Sequence, residues 1–297
     1  MRFVGKRAKS LTTQSRGRPI SHRKPKTVPR ENIAFLPSII FSLVNRGKEK
    51  ARSKIKLNPS DLRVWVRQGR SSVTMVLIVD VSFSTHQFLP AVSRALGIVY
   101  RDAYRNRDRL GLISFQKKFA RILNHPTNNL RVALGNLASL TPSGFTPLAQ
   151  GLRKALQIFK QEQKRSPNFI PFAVLLSDCF PEPLTHKYAD LLEEPAYLET
   201  LKVSKDFGRK KIPIVVINPA HGKDRSGKLK SGTRLGLGIA RLSNGKYYGI
   251  SEKEAPSRKT FFAEYAQRQY IEKQARNISG FLDDVRVDLL TIQRQEK

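Results

Sequence analysis

Residues 73–84 read VTMVLIVDVSFS, a short apolar run that ends in Asp80 and continues into a turn carrying Ser82 and Ser84. An apolar run of this length without polar alternation has the pattern of a strand buried on both faces. Three more stretches share it: RLGLISF at 109–115, FIPFAVLLSD at 169–178 and KIPIVVIN at 211–218. Between them, amphipathic spacing predicts helices over 87–104, 128–139, 147–164 and 199–207, with a last helix over 234–242 and a last strand over 246–250. Apolar runs alternating with helical ones imply βαβ units, hence an α/β fold with a doubly wound, mostly parallel sheet flanked by helices.

In open α/β sheets, ligands bind beyond the carboxyl ends of the strands. Asp80 is expected there, with two hydroxyls on the same turn. Asp178 ends another buried run, and TPSGFTPL at 141–148 sets Thr146 just before a predicted helix with Pro147 at its first position. Every candidate donor is an oxygen, which suits Mg²⁺ (or Mn²⁺) and argues against zinc. Asp and Ser are also ordinary helix caps. Thr146 and Asp178, arriving from distant segments in a consistent position, weigh against that reading of Asp80, Ser82 and Ser84.

This set resembles the von Willebrand factor A-type domain, whose adhesion site combines Asp-x-Ser-x-Ser with a distant Thr and a distant Asp. The parts stand here in that order, as DVSFS at 80–84, Thr146 in GFTPL and Asp178 in LLSD. DLRVWVRQGRSS, RNRDRLGLISF, TPSGFTPLAQGLRKAL and FAVLLSDCFPEP, with GRPI and IAFLPSIIFSLV upstream, are similar to the C-terminal region of the D-type subunit of magnesium and cobalt chelatases, over residues 17–250. The resemblance implies a metal ion held by Asp80, Ser82, Ser84, Thr146 and Asp178. It also implies a protein partner that completes the ion's shell with an Asp or Glu, and an AAA+ ATPase as that partner. Phe83, Thr85 and Cys179 depart from the family pattern, which usually has Gly, Met and Gly at those places. None of the three removes a metal oxygen. D-type subunits carry an ATPase-like module before a linker, for which this chain has no room, so an A-type half working with a separate ATPase is expected.

The net charge of +32 is front-loaded: residues 1–70 hold 19 Lys and Arg against Glu31, Glu49 and Asp61. Residues 1–30 read as a basic, disordered arm in which Arg2, Lys6, Arg7, Lys9, Arg16, Arg18, Arg23, Lys24, Lys26 and Arg30 are the candidates for binding a partner or polyanion. Residues 31–70 read as a basic lead-in. Within it Leu62, Val64 and Val66 alternate with Arg63, Trp65 and Arg67 as in a half-buried strand or edge ribbon. Residues 71–250 form the A-type domain, and 251–297 a charged helical tail broken around Ser279-Gly280. The single cysteine suits a reducing compartment, so the expected location is cytoplasmic, with an organelle stroma or matrix the alternative if the Arg- and Ser-rich N-terminus is a transit peptide. The longest mainly apolar stretch, 33–44, is too short for a membrane span.

Other motifs fail on chemistry. HGKDRSGKL at 221–229 fits a phosphate-loop spacing but puts Leu229 where a hydroxyl is needed, and the residues after it do not promptly open a helix. A haloacid-dehalogenase-type phosphatase needs a second carboxylate where Ser82 stands. The five histidines lack metal-ligand spacing. No general base accompanies Cys179 or the Asp80 motif, so the function expected is a non-catalytic, metal-dependent protein-interaction module. The alternative is a nucleic-acid-binding protein that uses the arm, with the A-type domain as scaffold.

Overall fold

A computed structural model of the chain describes residues 9–12, 18–25, 32–46, 57–70, 73–80, 89–106, 108–116, 119–140, 146–166, 169–188, 190–224, 226–251 and 263–295. It divides into two compact units, one of residues 6–71 with 290–297, the other of 72–289 with the first five residues.

In the smaller unit, strands β1 (Lys9–Thr12) and β2 (Arg18–Arg23) pair antiparallel with the two edges of β3 (Val64–Arg70), giving the order β1-β3-β2. Within the expected disordered arm, Lys9–Thr12 and Arg18–Arg23 are strands because β3 supplies a backbone ladder on both sides, which needs no apolar side chains; residues 1–8, 13–17 and 26–30 of the arm lie outside the described residues. The expected edge ribbon is for the same reason the central strand. Helix α1 (Phe35–Arg46) is anchored through Ser38, whose hydroxyl donates to Ala34 O and accepts from Arg63 N, both at 2.8 Å. Arg63 was expected to face outward. It is buried, with its guanidinium bonded to the carbonyls of Ser60 and Leu62 and lying 3.5 Å from the centre of the Phe41 ring.

The larger unit holds β4 (Val73–Val79), α2 (Leu89–Asn106), β5 (Arg109–Gln116), β6 (Phe119–Thr127), α3 (Leu130–Ala138), α4 (Leu148–Arg165), β7 (Ile170–Leu176), α5 (Pro195–Arg209), β8 (Ile214–His221), α6 (Ser231–Leu242), β9 (Lys246–Ser251) and, up to residue 289, α7 (Ala263–Gln295). Its sheet has the order β6-β5-β4-β7-β8-β9. All neighbours are parallel except β6, an antiparallel edge strand that the sequence reading did not anticipate. Every residue of β4 is buried. Val76 and Ile78 share a core cluster with Leu152 and Ile158 of α4, Phe207 of α5 and Ile239 of α6. Gly151 lets α4 approach β5, since a Cβ there would lie 2.4 Å from the Phe115 ring.

From β4 the chain crosses to β5 and β6 on one side, then returns to β7 on the other. The strand order therefore reverses between β4 and β7, and the ends of these two strands flank the crevice that such a reversal opens.

Helix α7 is continuous through Ser279-Gly280, correcting the expected break. Ala275, Ile278, Leu282 and Val285 form a buried stripe at helical spacing, and Arg286 donates to Asp108 Oδ2 at 2.6 Å. Packing outweighs the weak helix preference of one Gly and one Ser. No helix among the described residues is long and apolar enough to cross a membrane.

Candidate metal centre

Asp80 leaves β4 with its amide still in the ladder, donating to Leu176 O of β7 at 2.8 Å. Its side chain is almost fully enclosed at 1% exposure. Thr146 Oγ1 donates to its Oδ1 at 3.3 Å, and Ser177 Oγ donates to its Oδ2 at 2.8 Å. The buried carboxylate thus receives one hydroxyl from the segment before α4 and one from the end of β7.

Thr146 is placed by its own peptide. Its carbonyl accepts from Leu148 N at 2.8 Å, as α4 begins, and from Glu182 N at 3.1 Å, in the loop that follows Asp178. Pro147 stands at the N-cap, one position earlier than expected, and leaves no side-chain cap bond on α4. The threonine hydroxyl is left directed to Asp80.

Asp178, partly exposed, follows Ser177 at the end of β7. Its Oδ1 accepts from Phe180 N at 3.1 Å, and its carbonyl accepts from the buried Asn218 Nδ2 at 3.3 Å. Helix α6 presses against that carbonyl: a Cβ on Gly232 would sit 2.2 Å from it. Cys179, next along, adopts a left-handed backbone with φ of 59° and donates its N–H to Ser177 Oγ at 2.9 Å. Burial pushes its thiol well above the ordinary range, with Asp178 and Asp80 adding in that order. Both carboxylates act on that one sulfur, so the ends of β4 and β7 share one electrostatic environment.

Asp80, Thr146 and Asp178 are therefore brought to one region of the switch crevice, and Ser177 joins them as a residue the sequence reading passed over. Ser82 and Ser84 lie outside the described residues. So do Arg2, Lys6, Arg7, Arg16, Lys26 and Arg30 of the basic set, whereas Lys9 lies in β1, Arg18 and Arg23 end β2, and Lys24 follows it. Among the described residues no cluster of three His, Cys, Asp or Glu side chains stands ready for a metal. A site made of two carboxylates and neutral hydroxyls is of another kind, and the donors present, all hard oxygens, fit a hard divalent ion.

Beside Asp178 opens a groove of about 560 Å³, with Phe180, Leu191 and Leu229 among its apolar walls and Lys228, Lys230 and Arg234 among its polar ones. The 221–229 segment on its rim is a tight turn: Asp224 Oδ1 accepts from Ser226 N, Ser226 Oγ and Lys228 N, and Gly227 has φ of 79°. A phosphate loop needs such amides turned toward its ligand, and here the Asp224 carboxylate takes two of them. Helix α6 does begin soon after, at Ser231, earlier than expected.

Residues 75–178 match the model of the von Willebrand factor type A domain. An uncharacterized protein of Mycobacterium tuberculosis is 35% identical over 132 residues, which is 42% of this chain and 21% of that one. The magnesium-chelatase 60 kDa subunit of Cereibacter sphaeroides is 28% identical over 213 residues, 69% of this chain and 37% of that subunit. The chain thus spans well under half the length of these two relatives. An uncharacterized protein of Methanocaldococcus jannaschii is 26% identical over 166 residues, 55% of this chain and 87% of its own. Among solved structures, manganese-loaded Plasmodium vivax TRAP protein aligns with a TM-score of 0.41 at 17% identity, over 68% of this chain and 74% of that one.

Proposed function

From a chain that carries a von Willebrand factor type A domain and is related to magnesium-chelatase subunits, we propose a metal-dependent protein-interaction module without catalytic activity of its own, working with an AAA+ ATPase. The observation that carries this reading is the buried Asp80 carboxylate, held between the hydroxyls of Thr146 and Ser177 at the strand-order reversal, with Asp178 beside it. Asp80, Thr146 and Asp178 would hold Mg²⁺ or Mn²⁺ together with Ser82 and Ser84. When bound, the ion supplies a Lewis-acidic position for a carboxylate from a partner.

The chain's own residues do the rest. Ser177 and Thr146 fix the Asp80 carboxylate, so little ordering is left to be done on binding. Asn218 and Gly232 hold the backbone of Asp178. The adjoining groove gives the segment around the partner's Asp or Glu an apolar floor at Phe180 and Leu229. The single buried cysteine suits a reducing, cytoplasmic setting.

The test has two stages. Mn²⁺ and Mg²⁺ are titrated calorimetrically into wild type, Asp80→Ala and Asp178→Ala. Each AAA+ ATPase of the source organism, purified singly, is then titrated in Mg²⁺ and in EDTA. Ion binding by wild type alone, and ATPase binding weakened in EDTA and to the same extent in Asp80→Ala, is the expected result. Equal ATPase binding under all conditions would sink the proposal.

A further inference from the structure

Helix α1 has its chemistry arranged against the usual rule for a surface helix. The inward positions are Ala34 just before it, Ser38 and Ser42, all buried, while Leu36, Ile40, Leu43 and Val44 are exposed on the outer side, Leu36 at 66% and Val44 at 73%. Their spacing of four, three and one residues makes a single apolar stripe over two turns. Phe35, at 64% exposure, extends it. The helix is not free to roll this stripe inward, because Ser38 is bonded to the Ala34 carbonyl and to the Arg63 amide of its own unit. Beside the helix in sequence, β2 exposes all six of its residues, Arg18 and Arg23 among them.

A contiguous apolar stripe of this kind marks a contact surface. What covers it can be argued from charge. Residues 1–70 carry 19 cationic side chains against three acidic ones, so two copies meeting through this unit would repel. A nucleic acid would answer the charge but offers a phosphate backbone to Leu36, Ile40 and Val44. Helices that settle on anionic lipid line their polar flank with Lys and Arg, whereas α1 has none before Arg46. An apolar groove rimmed by acidic residues on a protein answers both features, and one of the relatives, that of Cereibacter sphaeroides, is by name a subunit of a magnesium chelatase.

We propose that the outer face of α1, together with the cations that β2 exposes in the same unit, is a second docking surface, independent of metal, for an acidic face of the same partner that the type A domain engages. This rests on the proposed function for the class of partner only. Two separated surfaces on one chain let the first contact raise the local concentration for the second.

The test uses the full chain against each purified AAA+ ATPase of the source organism, titrated in Mg²⁺ and in EDTA. The variants are the double substitution Leu36→Asp with Val44→Asp, the double substitution Arg18→Glu with Arg23→Glu, and Asp80→Ala. All five positions but Asp80 are exposed, and circular dichroism checks that each variant is folded. The α1 variant is expected to bind at least about tenfold more weakly in both buffers, and the β2 variant to lose its salt-dependent part of association. Wild-type affinity in the α1 variant, with loss only in Asp80→Ala, overturns this inference and leaves the metal-dependent reading standing. Loss in the α1 variant with no effect of EDTA or Asp80→Ala does the reverse. Binding of no ATPase overturns both. Dimerisation of wild type that the α1 variant abolishes, seen by sedimentation, would assign the stripe to a second copy instead. α1-dependent flotation with anionic phospholipid vesicles, or α1-dependent binding of a DNA duplex, would equally overturn it.

Discussion

Ser177 Oγ donates to Asp80 Oδ2 at 2.8 Å while accepting the amide proton of Cys179 at 2.9 Å. Its hydroxyl proton is committed to the carboxylate, because the amide can only donate and the ionised carboxylate can only accept. Asp80 is left with Oδ1 as the oxygen facing Thr146. Ser177 thus orients the carboxylate of the proposed metal site from behind, the role that outer hydrogen-bond partners play around bound ions.

Replacing Ser177 with Ala should therefore weaken Mn²⁺ binding by about 10- to 100-fold without abolishing it. It should also cost about 1–3 kcal/mol of stability in EDTA, since the Cys179 amide and one Asp80 oxygen lose a buried partner. Calorimetric Mn²⁺ titration and urea denaturation in EDTA read the two effects separately. Unchanged ion affinity would show that Asp80 needs no support from this side.

Gly232→Ala should disturb the site through the backbone. The new methyl would fall 2.2 Å from the Asp178 carbonyl, with Cys179 O at 3.3 Å, and backbone cannot yield as a flexible side chain does. A loss of about 2 kcal/mol or more is expected, with weakened Mn²⁺ binding because Asp178 must shift. Gly97→Ala in α2 is the control: nothing lies within 4 Å of its added methyl, so it should stabilise by up to about 1 kcal/mol through helix preference. Thermal melts of the two variants should move in opposite directions.

The sheet was legible because its central strands are buried on both faces, so Val73–Val79 and Ile170–Leu176 are unbroken apolar runs. Strand β6 was missed for the opposite reason. FARILNHPT mixes exposed and buried positions without clean alternation, contains Pro126, and pairs with β5 through two register shifts. Strands β1 and β2 were illegible because backbone pairing with β3 forms them, and the exposed side chains of β2 leave no apolar pattern. At the candidate site, the places of Asp80, Thr146 and Asp178 after strands and before a helix were legible from the apolar runs that precede them. Ser177 was not, since its bond to the Asp80 carboxylate joins two strands distant in sequence. The signal available for it was its place in LLSDC, one residue before a strand-end Asp.

Cys179 should be inert. Its thiol is buried and raised in pKa by that burial and then by Asp178 and Asp80, so the nucleophilic thiolate is scarce. Alkylation by iodoacetamide at pH 8 should be at least about tenfold slower in the native chain than in urea. The sign of the linked stability effect follows. The unfolded thiol ionises near pH 8.5 and the native one only higher, so stability is intact below that pH and declines as pH rises above it. Cys179→Ala should remove that part of the decline between pH 7.5 and 9.5 in urea denaturation.

Helix α7 should be released by breaking one buried contact. Asp108 accepts from Arg286 Nη2 at 2.6 Å and from Val73 N at 2.9 Å, so a single carboxylate joins the first residue of β4 to a helix residue that lies 178 positions beyond Asp108. Both partners are well shielded, with side-chain exposures of 13% and 7%. Arg286→Ala takes the guanidinium away from a buried carboxylate, and removal of one member of such a pair is expected to cost about 3 kcal/mol. Asp108→Asn should cost less: its amide oxygen can still accept from Val73 N, and no lone anion remains. Other polar ties of the helix, Arg94–Glu272 and Lys246–Asp288, are more exposed and weak by comparison, so the buried stripe of Ala275, Ile278, Leu282 and Val285, with the Tyr248 and Phe281 rings at 5.1 Å, is what still holds it. Amide hydrogen exchange over residues 275–285 should therefore speed up in Arg286→Ala before exchange in β4 does. Equal acceleration in helix and strand would mean that α7 and the sheet unfold as one unit, and that Arg286 contributes only to global stability.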